Sequence, residues 1–497
     1  MSSSTVLRGR RPGSAVSPTH LTTARGAALY IGALLGPGLL LLPGLAAAEA
    51  GPASLLAWAG LLVLSALFAV VFTALGRDFP SAGGVIGYVT AGLGPRLGLT
   101  TGWCFLTGVV SGAPVVCLIG ASYITELTGG DQAVRAAIAA LMLLVVLALA
   151  AGGVRTSAAA QLLLVGVLIG VVIVAVAGSA GSAHAANWTP FAPHGWPAVG
   201  HAAATLMLSF VGWEAVAPLT TRFADPARQL PRVVAIALAV TTVVYLALAV
   251  ATIGVLGRGA GTLTPLAALL QRAVGPAGTI AAAAAAIVLT LGATNAYING
   301  AAAMARRLLP RRVTEAGIAP ASWARRLPPR RVTGAGMAPA SMARRSSPRL
   351  VTGAVEPPAA DGEARRPARL LLAAIAVSGL LLITLYGFGL VSPASLVAIP
   401  TTLFLAVYLG SMVAAIRVLR GPARWAAVPA TAAVAIMLAY CGWALAVPAL
   451  IVAAGQRVWI HSSVRVTRAW RGKIFSSKTR CTSGSRSAQA SASTVSR

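Results

Sequence analysis

Two stretches of this chain place groups able to bind a charged solute inside runs of apolar residues. The first is Gly32-Ala33-Leu34-Leu35-Gly36-Pro37-Gly38, followed by Pro43-Gly44; the second is Ser209-Phe210-Val211-Gly212-Trp213-Glu214, followed by Pro218. Glycine and proline interrupt helices and free backbone N–H and C=O groups, which a low-dielectric medium tolerates only around a cavity or within packed protein. A half-helix starting at such a break presents unsatisfied N–H groups and the positive end of its dipole, which suits a carboxylate, while exposed carbonyls suit an ammonium. A zwitterionic amino acid satisfies both. The competing role for Gly36, Gly38 and Gly212 is purely structural, because small residues also let membrane helices pack closely.

Glu214 is the one acidic residue deep inside an apolar run; Glu49 and Glu126 lie near run ends, and Asp78, Asp131 and Asp225 between runs. Placing an ionised carboxylate in hydrocarbon costs at least about 2.5 kcal/mol, so a partner, a water path or a bound proton is expected. Two roles follow: a proton-responsive or gating group, or a hydrogen-bonded tie between this run and a neighbour. The cysteines (Cys104, Cys117, Cys441 and Cys481) lack metal-ligand spacing, and the histidines fall in termini, loops or run ends. No metal or other cofactor is therefore expected. There is no Gly-x-x-x-x-Gly-Lys-Ser/Thr loop for ATP, and no paired carboxylates, His cluster or Ser-His arrangement to make the chain a membrane enzyme.

Long apolar helices must hold these groups. The chain has 497 residues, 57% hydrophobic and 10% charged, which excludes a soluble globular protein. Crossing the hydrocarbon layer takes about 20 apolar residues per helix, and the runs here are that long and do not alternate as barrel strands do. The expectation is an all-α integral membrane protein with about 12 transmembrane helices, at 26 to 48, 53 to 75, 99 to 125, 133 to 152, 157 to 179, 200 to 221, 233 to 256, 276 to 303, 368 to 390, 395 to 416, 424 to 440 and 442 to 459. The last two meet near Cys441-Gly442, where a single bent hairpin is the alternative. The first apolar run continues as a full-length span, so no cleavable signal peptide is expected. The two breaks fall five spans apart, an odd offset that sends their helices through the membrane in opposite directions. That is the pattern of an inverted five-plus-five repeat with its site at the midplane.

The net charge of +29 sits in tails and loops, so nucleic acid is not the expected partner. With the amino terminus inside, all but three of the 39 Lys and Arg fall on the cytoplasmic side, the exceptions being Arg135, Arg258 and Arg272. Both termini are thus expected in the cytoplasm, of a bacterial-type inner membrane. The chain divides into a tail (1–25), eight spans (26–303), a basic loop (304–367), four spans (368–459) and a second basic tail (460–497). The loop repeats itself with a period of 19, as ARRLLPRRVTEAGIAPASW from Ala305 and ARRLPPRRVTGAGMAPASM from Ala324, with a degraded copy from Ala343. Copies this short and this rich in Pro and Arg cannot bury a core, so a disordered duplication is expected, with anionic lipid as an alternative partner of loop and tail.

Gly36-Pro37-Gly38, the segment Leu75-Gly76-Arg77-Asp78-Phe79-Pro80-Ser81-Ala82-Gly83-Gly84, and Phe210-Val211-Gly212-Trp213-Glu214 with Asp225-Pro226 and Pro231-Arg232 resemble the amino acid/polyamine/organocation superfamily. The likeness is strongest to its bacterial methionine and branched-chain amino-acid exporters. The resemblance implies a LeuT-type fold with discontinuous first and sixth helices, whose backbone at Gly36 to Gly38 and at Phe210, Val211 and Gly212 holds the substrate's carboxylate and amino groups. It places Pro80 to Gly84 near the inner gate, with a plain turn before the third span as the alternative, and Arg155 where some members carry a lysine in place of a sodium ion. Arg155 would supply fixed charge, or be an ordinary cytoplasmic residue at a helix end. Pro37 departs from the family's usual small or hydroxyl residue and removes one N–H donor. The implied activity is secondary transport of a neutral amino acid by alternating access, as export or exchange, with protons as a coupling ion. The rival readings are a channel, a non-transporting sensor on the same fold, or a permease for another small organocation.

Overall fold

The computed structural model describes residues 21–79, 84–154, 158–214, 223–308 and 361–454. Among these, everything regular is helical apart from a single β-bridge between Leu21 and Phe223. The first expected span is two helices, α1 (Thr23–Leu34) and α2 (Gly38–Ala50). A 3-10 turn at Gly51–Ala53 leads directly into α3 (Ser54–Asp78). A short helix α4 (Val85–Leu93) precedes α5 (Pro95–Thr128), and α6 (Gln132–Ala151) and α7 (Ala158–Ser179) follow.

The sixth span begins as α8 (Pro197–Leu206), tightens to a 3-10 turn at Met207–Phe210 and then opens into extended backbone at Val211. Beyond it come α9 (Pro226–Leu256), the short α10 (Pro265–Val274), α11 (Pro276–Leu308), α12 (Asp361–Gly387), α13 (Pro393–Val418) and α14 (Pro422–Tyr440). A 3-10 turn at Gly442–Leu445, entered through Gly442 at φ +54°, ends α14 before a last helical stretch to Ala454.

Nine helical runs among the described residues are long and apolar enough to cross a membrane, with shorter apolar helices at Pro197–Phe210 and Gly442–Ala454. The protein is a multi-pass, all-helical membrane protein. Counting to nine instead of about 12 has local causes: the break leaves α1 short and α2 joined to α3 in one run through the 3-10 turn at Gly51–Ala53, although Gly51 at φ +59° turns the chain there, and the sixth span and the last, Gly442–Ala454, are each too short. Several ends also move. α11 continues to Leu308, past the expected 303, because Ala and Arg are good helix formers and nothing in Ala301–Leu308 breaks the pattern. α12 begins at Asp361, ahead of 368, and α10 fills what reads in sequence as a plain loop. Residues 1–20, 80–83, 155–157, 215–222, the repeat-bearing 309–360 and 455–497 lie outside the described residues, and α1 begins at Thr23, ahead of 26.

α5 is the central post: 78% of its most apolar window is buried, against 28% for α6, α7 and α12 and 22% for α14. Those outer helices carry exposed Leu141, Leu163, Val377 and Ile436, the surface expected against lipid. α13 packs along α5 and α4, and α9 along α1 and α3, so both interrupted spans sit inside the bundle.

Candidate functional site: the paired helix breaks

α1 ends where the Leu35 N–H bonds back to Ile31 O, and α2 restarts with Leu39 N–H on Gly36 O and Leu40 N–H on Pro37 O. Between them the Gly36 and Gly38 amides have no hydrogen-bond partner among the described residues, and Pro37 has no N–H to offer. These are the unsatisfied donors of a helix start, set inside the bundle. The second break lies directly against the first. A Cβ on Gly38 would sit 3.1 Å from Ser209 Oγ, and one on Gly212 only 2.5 Å from Ala33 O. Gly212 also stands at φ +150°, so two independent constraints exclude a side chain there. Gly36, Pro37, Gly38, Phe210, Val211, Gly212 and Glu214 therefore form one neighbourhood. Arg155 lies outside the described residues; its predecessor Val154 offers a carbonyl to Asn295 and Asn299 of α11 at 3.1 and 3.2 Å.

Tyrosine hydroxyls satisfy most of the freed backbone. Tyr245 of α9 lies 2.7 Å from Leu34 O and 2.6 Å from Ser209 O, one carbonyl from each break. A phenol has one proton, so Tyr245 donates to one of them at a time. Tyr408 of α13 accepts the N–H groups of Gly212 and Trp213 at 3.2 and 3.1 Å, and donates to Glu214 Oε2 at 2.6 Å. Tyr297 of α11 reaches Val211 O at 3.5 Å, and Tyr123 of α5 donates to Leu40 O at 2.7 Å. Trp213 is pinned by its own Nε1–H on Ser65 Oγ at 2.9 Å. Phe210 packs between Trp58 and Tyr245, with ring centroids 5.9 and 5.1 Å away.

Glu214 is 4% exposed; Oε2 takes the Gly212 N–H at 2.9 Å as well as the Tyr408 hydroxyl, while Oε1 has no partner. No ion pair involves it among the described residues. The Ser209 hydroxyl is likewise buried without a partner. Beside the first break a small cavity of about 20 Å³ lies between Gly32, Leu35, Gly36 and Pro37 on one side and α7 and α11 on the other. Its wall is Leu164, Val165, Leu168, Leu289 and Ala293, with Gln161 as the single polar side chain and no charged one.

The tyrosines were the part of the site that glycine and proline spacing could not reveal. A signal did exist: a tyrosine in the interior of an apolar span needs a partner for its hydroxyl, and Tyr123, Tyr245, Tyr297 and Tyr408 all sit in such spans.

Residues 21–329 match the family model for amino acid permeases. The chain belongs to that family. It is 31% identical over 438 residues to YecA of Bacillus subtilis, an uncharacterized amino acid permease, a match spanning 88% of this chain and 94% of that protein. It is 36% identical over 224 residues to the L-methionine/branched-chain amino acid exporter YjeH of Escherichia coli, covering 44% of this chain and 52% of the exporter. A third relative, the branched-chain amino acid permease BcaP of Bacillus subtilis, is 26% identical over 266 residues, 49% of this chain and 57% of that protein. The resemblance read in the sequence thus holds at the level of the superfamily. These relatives are transporters, not enzymes, and they support amino-acid transport as the activity of this amino acid permease.

Proposed function

We propose that this permease carries neutral amino acids of the aliphatic, branched-chain or methionine-like class across a bacterial inner membrane by alternating access, as an exporter or exchanger. The observation that carries the reading is the pairing of two helix breaks around unpartnered Gly36 and Gly38 amides, beside a cavity whose lining is apolar apart from Gln161. The amides suit a carboxylate, break carbonyls such as Phe210 O suit an ammonium, and the uncharged wall suits an aliphatic side chain. A substrate with a charged side chain would find no counter-ion in that wall. An inverted five-plus-five repeat would bring two such breaks, on helices of opposite direction, together at the membrane midplane.

Glu214 and Tyr408 form the gate in this reading. Glu214 holds the second break closed through Gly212 and Tyr408, and a proton delivered to it would turn an acceptor into a donor and weaken the Tyr408 contact. Both termini and the basic loop would then face the cytoplasm, against anionic lipid headgroups.

Counterflow of labelled leucine and methionine in proteoliposomes tests the proposal, with arginine and choline as competitors. Saturable exchange blocked by unlabelled aliphatic amino acids is expected. Flux without saturation would indicate a channel. Substrate binding without flux would indicate a sensor, and block by choline in place of leucine a permease for organocations.

A further inference from the structure

α13 and α14 are joined by a tight connection at residues 419–421. α13 is closed there by the Leu419 N–H on Ala415 O at 2.9 Å, with Leu419 buried, and α14 opens with the Arg424 N–H on Gly421 O at 3.1 Å, Gly421 standing at φ +66°. Both helices are long and apolar enough to cross the membrane, so the turn between them lies at a membrane surface. It gathers Arg417 from the last turn of α13, Arg420 from the connection and Arg424 from the first turn of α14 into one small area, and all three are exposed.

These arginines have no counter-ion. The ion pairs among the described residues are Arg77–Asp78 and Arg228–Asp225, and the sequence carries no Asp or Glu after Glu363. α14 packs along α3, whose terminal Asp78 is already held by Arg77 at 2.9 Å. The positive end of the α14 dipole adds to the same field. Directly after Arg424 comes Trp425, 75% exposed, and below it Val428, Ala432 and Ile436 continue one exposed face of α14 at helical spacing. Tryptophan favours the headgroup level of a bilayer, and an apolar stripe beneath it suits hydrocarbon.

We infer that the α13–α14 turn is a binding site for one anionic phospholipid, with Arg417, Arg420 and Arg424 on the headgroup phosphate, Trp425 beside the ester region and an acyl chain along Val428, Ala432 and Ile436. Guanidinium forks match phosphate oxygens two at a time, and three of them without a carboxylate select a headgroup of net negative charge. A zwitterionic headgroup brings an ammonium that the same arginines repel. Free phosphate would satisfy the arginines but leave Trp425 and the stripe below it unused, which makes a lipid the occupant. α13 also carries Tyr408, so a lipid held at its end braces the helix that closes the second break.

Native mass spectrometry of the purified full-length protein, titrated in detergent with phosphatidylglycerol or phosphatidylcholine, counts the lipids it retains. The triple variant Arg417→Gln, Arg420→Gln, Arg424→Gln is expected to retain a single phosphatidylglycerol fewer than the wild type. A second triple variant, Arg77→Gln, Arg228→Gln, Arg232→Gln, removes the same charge elsewhere and should keep the wild-type count. Melting temperatures in phosphatidylcholine alone, expected to match the wild type, verify that both variants fold. Trp425→Ala keeps every charge and should weaken phosphatidylglycerol binding severalfold; wild-type binding there would overturn the placing of the acyl chain along α14. No loss in the first triple variant, or equal loss in both, would overturn the site. Equal retention of phosphatidylcholine would overturn the choice of headgroup, and displacement by excess inorganic phosphate would overturn a lipid as the occupant.

Discussion

The Tyr408 hydroxyl donates to Glu214 Oε2 at 2.6 Å while accepting the N–H groups of Gly212 and Trp213, so one phenol closes the unwound backbone of the sixth span and holds its buried carboxylate. Neither residue would be stable in this position without the other. Removing the hydroxyl leaves the buried Trp213 N–H without a partner and the Gly212 N–H and Glu214 Oε2 with only each other; removing the carboxylate leaves the phenol proton with only Phe210 O, at 3.3 Å.

Tyr408→Phe should therefore lower stability by about 1–3 kcal/mol, the usual cost of leaving buried polar groups unsatisfied. The measurement is thermal unfolding of the purified protein in detergent, with counterflow slowed in the same variant. An unchanged melting temperature would mean that the second break does not depend on this phenol.

Glu214→Gln keeps the shape and one acceptor oxygen but cannot take up a proton. If Glu214 is the coupling group, the variant should retain leucine exchange while the dependence of net flux on a pH gradient is lost. Unchanged exchange with unchanged pH dependence would remove Glu214 from coupling and leave it as a tie between the sixth span and α13.

The glycines should separate by geometry. Gly36→Ala meets nothing within 4 Å and should fold like the wild type. Gly212→Ala must place a methyl group 2.5 Å from Ala33 O at φ +150°, at a cost of at least about 1–3 kcal/mol in backbone strain alone. Monodispersity and thermal unfolding of the two variants side by side check this, with a loss expected only for Gly212→Ala.

Size selection should follow the wall of the cavity beside the first break. Leu168→Phe narrows it and should raise KM for leucine and methionine more than for alanine; Leu168→Ala should do the reverse. Equal shifts for all three substrates would place the side-chain pocket elsewhere.

The membrane class and the two breaks were legible in the sequence because both are written in composition: length of apolar run, and glycine or proline within it. Contact between the breaks was not, since nothing local says that Gly38 meets Ser209 or that Gly212 meets Ala33. The tyrosine ties were missed for the same reason: Tyr245 lies 211 residues from Leu34 and Tyr408 lies 194 from Glu214, so their partners are set by packing alone. Helix ends were misread where good helix formers carry a helix past the hydrocarbon, as at Leu308, and where the short α10 is amphipathic and partly buried without spanning. Glu214 could be singled out by its solitude in an apolar run, but its carboxylate's partners could not.

Central to this account is that the two breaks together form the substrate site. Ser209 reports on it directly, because its hydroxyl is buried, unpartnered and set against Gly38. In a background with Cys104, Cys117, Cys441 and Cys481 replaced, the rate at which Ser209→Cys reacts with a small thiol reagent in proteoliposomes should fall severalfold when leucine or methionine is present and stay unchanged with arginine. A rate indifferent to every amino acid, in a variant that still performs leucine counterflow, would contradict the claim and move the substrate away from the paired breaks.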